Sequence, residues 1–396
     1  MKLFQKILLA PATLGLLAPI SAYANEANLR DVTTYSQNQV EVSLDSFKPL
    51  SNKNPLLAGG EGINNNSSHS VNDFDVDTFS STTTASFTAN FAAGSVEGSQ
   101  EKLGVNYDWE LALSTGFNGN DSLDVVLNAG ASKMFPELDM TNTGSRLEVD
   151  SITYTTALGE RMTAFFGSGN GSAGSSLYNT ACVYGAQADT FSNCGVSAAN
   201  VDEGFGTAAG ASFDFGNGFA AAIAYEGQGM GTKGILTDQG TDGYGAQVSY
   251  TGDSFGVSVS WANIENHDSD NDLDSDHGQT QSRAINAYFA PDLSNFPTLS
   301  AGFEINHDNS ALSSKDESSH YFLGVQWDEI GNGTLGAAVG SKTPYLENED
   351  ALAMYEVFYS YNYADGITIT PLLYSKDNGT GKTDETGLVL KTQFSF

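Results

Sequence analysis

Cations are scarce in this sequence: Lys and Arg total 16 against 48 Asp and Glu. That balance excludes nucleic acid as a partner, because a phosphate backbone is held by clustered basic side chains. Histidine is rare too, at five residues, which leaves little material for a His-based metal or catalytic centre. Beyond the first 24 residues no apolar run approaches the roughly 20 residues that a helix needs to cross a bilayer. Mean hydropathy is −0.24. These absences exclude a bundle of membrane-spanning helices. They do not exclude a barrel, whose strands alternate outward apolar and inward polar residues and never become continuously apolar.

What is plentiful points to strands. Glycine (43), Phe (23) and Tyr (17) abound while proline numbers only 9, a balance that suits tight turns and aromatic-rich β-structure. Residues 1–24 combine basic Lys2 and Lys6, an apolar stretch from Ile7 to Ile20, and the small-residue site Ala22-Tyr23-Ala24. This is the pattern of a cleaved signal peptide, with Pro11 and Pro19 arguing against a spanning helix. Its removal lowers Lys plus Arg from 16 to 14 against 48 acids, a formal charge of −34. Export implies an oxidising compartment, so Cys182 and Cys194 are expected to form a disulfide within one loop. Two thiols without nearby histidines make an incomplete zinc site.

Residues 25–79 carry Asn64-Asn65-Asn66-Ser67-Ser68 and little periodicity, and read as a flexible periplasmic segment. The texture then changes. Leu103, Val105, Tyr107, Trp109, Leu111 and Leu113 occupy every second position, with Gly104, Asn106, Asp108, Glu110, Ala112 and Ser114 between them. This is a strand with one oily and one wet face. The unit recurs across turns such as Gly216-Asn217-Gly218, Thr251-Gly252-Asp253 and Ala364-Asp365-Gly366.

About sixteen strands are expected, an even number within the range of single-chain bacterial barrels. Their spans are 81–93, 103–116, 122–131, 146–157, 161–168, 205–215, 218–226, 241–250, 254–263, 282–290, 298–307, 319–327, 334–342, 351–363, 366–375 and 386–396. Short connections alternate with longer ones at 94–102, 132–145, 169–204, 227–240, 264–281, 308–318, 343–350 and 376–385. The expectation is an all-β transmembrane antiparallel barrel over residues 80–396, with short periplasmic turns and long extracellular loops. The phase slips between Val149 and Ile152, as a β-bulge or a misplaced strand boundary would make it do.

Several stretches resemble a known family. Val76-Asp77-Thr78-Phe79-Ser80-Ser81-Thr82-Thr83-Thr84 with Ala85-Ser86-Phe87 is similar to the opening strand of cyanobacterial outer-membrane porins, the iron-uptake or carbohydrate-selective-like group. Val105 to Asp108, Ser114 to Asp121, Glu148 to Tyr154, Ile367 to Pro371 and Thr392 to Phe396 fit the same family. The terminal Phe396 resembles the signal read by the barrel assembly machinery. The resemblance implies a porin for passive diffusion of small hydrophilic solutes or ions, in contact with outer-membrane lipid and lipopolysaccharide. A homotrimer is one expected assembly. The matching motifs are structural and leave iron, sugars and inorganic ions open as solutes. Family members carry an S-layer-homology domain and a coiled coil before the barrel; residues 25–77 contain neither, so this is a variant without that wall anchor.

If Tyr107, Trp109 and Leu111 face lipid, the lumen wall comprises Asn106, Asp108, Glu110, Asp124, Asn128, Glu304, Asn306, Glu356, Asn362, Lys391 and Gln393. This mainly acidic set favours cations through its field. Loop 169–204, with Cys182 and Cys194, is long enough to fold inward and narrow a pore; the alternative is an exposed loop stiffened by its disulfide. In loop 264–281, alternating Asp268, Asp270, Asp272 and Asp274 suggest a weak Ca²⁺ site, although Leu273 stands where an EF-hand needs Gly. Otherwise no cofactor is expected. The readings from other classes are an outer-membrane hydrolase, using His307 and His320 where they flank one loop, and a structural or adhesive barrel. No nucleophile motif accompanies the histidines, so the chain is read as not an enzyme.

Overall fold

The computed structural model describes residues 82–98, 100–202, 204–228, 235–237, 240–265, 278–293, 296–309, 316–343, 345–346, 351–379 and 381–396. The stretch 1–24 expected to be a signal peptide, the segment 25–79, and Asp268, Asp270, Asp272 and Asp274 lie outside the described residues. The chain divides into Met1–Asp73 and Phe74–Phe396, and the strands belong to the second unit.

The alternating segments form strands close to their expected positions. They are β1 (Thr83–Glu97), β2 (Gln100–Thr115), β3 (Asp121–Ala131), β4 (Glu148–Leu158), β5 (Met162–Gly169), β6 (Gly206–Gly216), β7 (Phe219–Gly227) and β8 (Asp242–Thr251). There follow β9 (Phe255–Glu265), β10 (Gln279–Phe289), β11 (Thr298–Asp308), β12 (Glu317–Trp327), β13 (Gly333–Ser341), the two-residue β14 (Tyr345–Leu346), β15 (Ala353–Ala364), β16 (Ile367–Lys376) and β17 (Glu385–Ser395). Apart from β14, which pairs only with β12, each strand pairs antiparallel with its neighbours in sequence. The last strand returns to the first, with Thr88 opposite Ser395 and Glu97 opposite Thr386. Phe87 N donates to Phe396 O at 2.8 Å and Phe396 N to Phe87 O at 3.0 Å. The result is a closed 16-strand antiparallel barrel with no open edge.

Alternation sets which side of the wall each residue takes. Val248, Val259 and Ile285 point outward and are 58%, 55% and 48% exposed, whereas inward Gln247, Ser258 and Asn286 are 2% exposed or less. Aromatic side chains gather at the rim with the short turns. Phe213 and Phe215 meet at 4.9 Å between centroids, Phe219 and Tyr250 at 4.8 Å, and Tyr250 and Phe255 at 5.3 Å. The Asn217-Gly218 turn has φ of +55° and +85°, the paired positive values a two-residue type I′ hairpin requires.

The phase slip in β4 is a β-bulge. Val126 pairs with Ser151 and Leu127 with Val149, so Asp150 is the extra residue. Its Oδ1 accepts from Asn128 Nδ2 and Asn170 Nδ2, both at 2.8 Å. One connection departs from expectation. The loop placed at 94–102 is a tight reversal between Glu97 and Gln100, because β1 and β2 both extend further and Gly98 takes a φ of +91°.

Candidate functional site: an inner loop and the path beside it

Between β5 and β6 the chain enters the barrel. Ser172 caps the short helix α1 (Ala173–Leu177), its side chain accepting from Ser175 N at 3.3 Å. The helix packs on Phe165, Ala208, Ala222 and Ala224, whose small inward side chains leave room for it. The chain continues along the wall: Ala181 N donates to Ser258 Oγ at 2.9 Å, Val183 N to Ser300 Oγ at 3.3 Å and Gly185 N to Gln326 Oε1 at 2.9 Å. A Cβ on Gly302 would stand 2.1 Å from Cys194 O, and one on Gly324 2.8 Å from the Tyr184 ring, so these wall positions admit the loop only as glycine.

Three wall carboxylates hold this inner loop. Glu356 Oε1 accepts from Tyr184 Oη at 2.8 Å, while its Oε2 accepts from Gln187 N at 3.1 Å and Ala188 N at 2.5 Å. Glu304 Oε2 accepts from Ala199 N at 3.0 Å, and Glu226 Oε2 from Gly204 N at 2.9 Å. Each glutamate is 1% exposed. Paired with backbone donors, a buried carboxylate becomes a latch; without them it would be a penalty. Cys182 and Cys194 are joined by a disulfide across a separation of 12 residues, with Cα atoms 5.8 Å apart.

A second loop, 132–147, also turns inward and meets the first. Thr190 Oγ1 donates to Glu137 Oε2 at 2.9 Å, and Lys376 Nζ contacts Glu137 Oε1 at 2.7 Å and Glu385 Oε1 at 3.0 Å. Phe135 and Leu138 join Phe191, Tyr184 and the inward Phe322, Phe358, Leu372 and Val389 in one buried cluster. The inner wall is therefore not all of the wet, mainly acidic kind: one sector is apolar because two loops pack on it.

The nominated wall residues therefore have different surroundings. Glu304 and Glu356 face inward, as alternation requires, but the loop covers them. Asn306 is 7% exposed and donates to Glu304 Oε1 at 3.2 Å. Asn106 donates to Ser132 Oγ at 3.0 Å; Asp108 accepts from Asn90 Nδ2 at 2.8 Å and from Thr141 N at 2.9 Å. Asn128 is 8% exposed. Glu110 and Asn362 are exposed, and Asp124, Lys391 and Gln393 half-buried, on the contiguous sector from β15 through β17 and β1 to β3. His307 and His320 do not pair: the register sets His320 opposite Glu304 and His307 opposite Glu317. Glu226 was not among the nominated residues, nor were the loop residues beside the remaining space.

Among the described residues, three cavities share lining residues one with the next. One of about 770 Å³ is lined by Asp139, Asp189, Asn193, Asp202 and Lys342, near the long loops. It shares Ser175, Asn193 and Asp202 with one of about 200 Å³, which adds Tyr178, Asn179, Thr180 and Asn200. Asn179 also lines a third, of about 510 Å³, together with Arg161, Asn217 and Thr251 at the short-turn rim. The narrow middle cavity is thus bounded by the inner loop and not by the nominated wall residues. In the loop, burial and then the neighbouring Glu226 push the Tyr178 hydroxyl well above the usual tyrosine range, so it stays neutral. Burial, followed by Asp139 and Glu137, raises the Asp189 carboxyl.

No family model and no curated protein matches the sequence. Solved structures do match the fold. Pseudomonas putida OprB is 12% identical, with a TM-score of 0.56 over 80% of this chain and 94% of that one. Salmonella typhi OmpF in complex with daunomycin gives 12% identity and a TM-score of 0.56 over 79% and 97%. A mutant of Rh. blastica porin gives 11% and 0.53 over 79% and 100%. The barrel has the porin fold. At these identities the likeness is one of architecture, and the solute path must be argued from this chain's own residues.

Proposed function

We propose that this chain is an outer-membrane porin of the cyanobacterial type, through which small hydrophilic solutes or ions diffuse passively with a preference for cations. The observation that carries this reading is the series of three cavities beside the inner loop, from the long-loop side to the short-turn rim. Support comes from the outer face, where an apolar belt edged by aromatics suits lipid and lipopolysaccharide. The resemblance of the strand motifs and of Phe396 to those porins supports export by residues 1–24, assembly by the barrel machinery and a homotrimer. Acidic residues along the wide cavity, Asp139, Asp189 and Asp202, support the cation preference. Exposed Glu110 and half-buried Asp124 add to the same field.

The hydrolase reading fares worse, because the two histidines it would use do not meet: the register sets His320 opposite Glu304 and His307 opposite Glu317. A purely structural or adhesive barrel would not need the path. Planar-bilayer recordings of the purified protein test the reading: discrete, long-lived current steps with a cation-positive reversal potential are expected, and a silent bilayer would refute it.

A further inference from the structure

The barrel is closed, but β1 and β2 rise past the level at which β3 ends, and there one edge of β2 has no neighbour. β3 stops at Ala131, opposite Tyr107, while β1 stays paired with β17 as far as Glu97 opposite Thr386. The chain after Ala131 turns to the inner face instead of continuing beside β2: a Cβ on Gly104 would stand 1.9 Å from Met134 Sδ, and Phe135 is buried in the inner cluster. Which backbone groups meet the open side follows from parity, because alternate residues of a strand point their N–H and C=O to opposite neighbours. Gly130 turns both groups to the β4 side, its O accepting from Ser145 N at 2.8 Å and its N donating to Thr143 Oγ1 at 3.2 Å. Ala129 and Ala131 therefore bond β2, and their partners Trp109 and Tyr107 are odd-numbered. Even-numbered residues bond β1, as Gly116 N does in donating to Thr82 O at 3.0 Å. Leu103 and Val105 thus aim their N–H and C=O at the open side, where no described residue pairs with them. Their side chains point outward and are 81% and 66% exposed. Free backbone groups beside exposed apolar side chains form a template for one more strand.

We propose that the edge of β2 at Leu103 and Val105 docks an extended, acidic peptide segment of a partner protein, which adds a strand at the long-loop end of the barrel. Charge selects that occupant. Lys102 lies on the edge itself, Lys133 two residues past the end of β3, and Arg146 next to Ser145, whose Oγ accepts from Tyr107 Oη at 2.7 Å. These are three of only 16 Lys and Arg in a chain with 48 acids. All three are exposed, and none has a carboxylate partner among the described residues, whereas Lys376 sits between Glu137 and Glu385. A second copy of this chain would bring the same three cations to the same edge, like against like, which disfavours self-pairing. Carboxylates spaced along an incoming strand would meet them instead, while the backbone bonds to Leu103 and Val105 fix its register.

The test uses the full-length protein in lipid nanodiscs and a fluorescent hexapeptide of alternating glutamate and valine, with a lysine and valine hexapeptide as its counterpart. The acidic peptide is expected to bind saturably and to slow hydrogen exchange at the Leu103 and Val105 amides. Those of Gly104 and Asn106, which face β1 opposite Gly94 and Ala92, should not change. Val105→Pro removes a donor that the barrel's own ladder does not use, a position where a strand tolerates proline. It should weaken the acidic peptide on the order of tenfold, the loss of one backbone hydrogen bond. Lys133→Glu should weaken it roughly two- to fivefold, an effect that fades at high salt. Absence of saturable binding, equal binding of the two peptides, or protection that misses Leu103 and Val105 would each overturn the proposal. So would protection of these two amides that rises with protein concentration alone, the sign of two copies pairing. Should Val105→Pro fail to fold, exchange in the wild type decides.

Discussion

Replacing Glu356 by Gln probes how the inner loop is held. The carboxylate spreads three donors over two oxygens, with Tyr184 Oη on one and Ala188 N on the other. Glutamine keeps one acceptor oxygen and sets an NH₂ group against the remaining donor. Whichever way the amide turns, one buried donor loses its partner, which costs about 1–3 kcal/mol. At about 1.4 kcal/mol per decade, local opening of residues 184–190 should rise on the order of 10- to 100-fold. Hydrogen-exchange mass spectrometry reads this directly as faster exchange of the Gln187 and Ala188 amides, with the barrel strands unaffected. Single-channel records of the variant should show more frequent closures as the loop leaves the wall. Unchanged exchange in this segment would refute the claim that Glu356 is a latch.

Gly174→Ala sets a Cβ 1.7 Å from Asn200 O, so α1 must shift at a cost of about 1–3 kcal/mol, and limited proteolysis should cut between 172 and 202 where the wild type resists. Ile285→Arg puts a charge on the outer face of mid-β10 and should destabilise the folded barrel in lipid by about 2–4 kcal/mol, read by urea titration in vesicles; a neutral effect would argue against a lipid-facing surface. Asp189 has its carboxyl raised by burial, Asp139 and Glu137. Its folded-state pKa exceeds the unfolded value of about 3.9, so its contribution is full below that value and is lost as pH rises through the folded-state value. The thermal midpoint of Asp189→Asn should therefore gain on the wild type as pH rises through that window; a difference independent of pH would contradict the cause assigned.

Much of the barrel was legible because its strands obey a local rule. Val248, Val259 and Ile285 must face outward, and period-two alternation fixes every other residue of their strands. The phase slip at β4 showed as well, but a bulge and a misplaced boundary leave the same trace between Val149 and Ile152, and only the pairing with β3 separates them. The inner loop was not legible in the same way. Ala188 meets Glu356 across 168 positions of sequence, and no periodicity reports such a contact. Signs of it were present: Ala208, Ala222, Ala224, Gly302 and Gly324 are too small for a water-lined wall, and Phe322, Phe358 and Leu372 are too apolar for one. Treating every inward acid as a lumen charge overlooked that backbone N–H groups of a loop would compete for them. The stretch 94–102 misled for a plainer reason, as polar ends of strands that rise above the apolar belt look like loop.

Solutes that travel beside the inner loop must pass Ser175 and Asp202, which line both the wide and the narrow cavity. Ser175→Cys places a reactive thiol at that point in a protein whose own two cysteines are joined to each other. Adding a charged, bulky thiol reagent to open channels should abolish most of the current, and subsequent reduction should restore it. Full labelling at residue 175, confirmed by mass, with the current unchanged would contradict a solute path beside the inner loop.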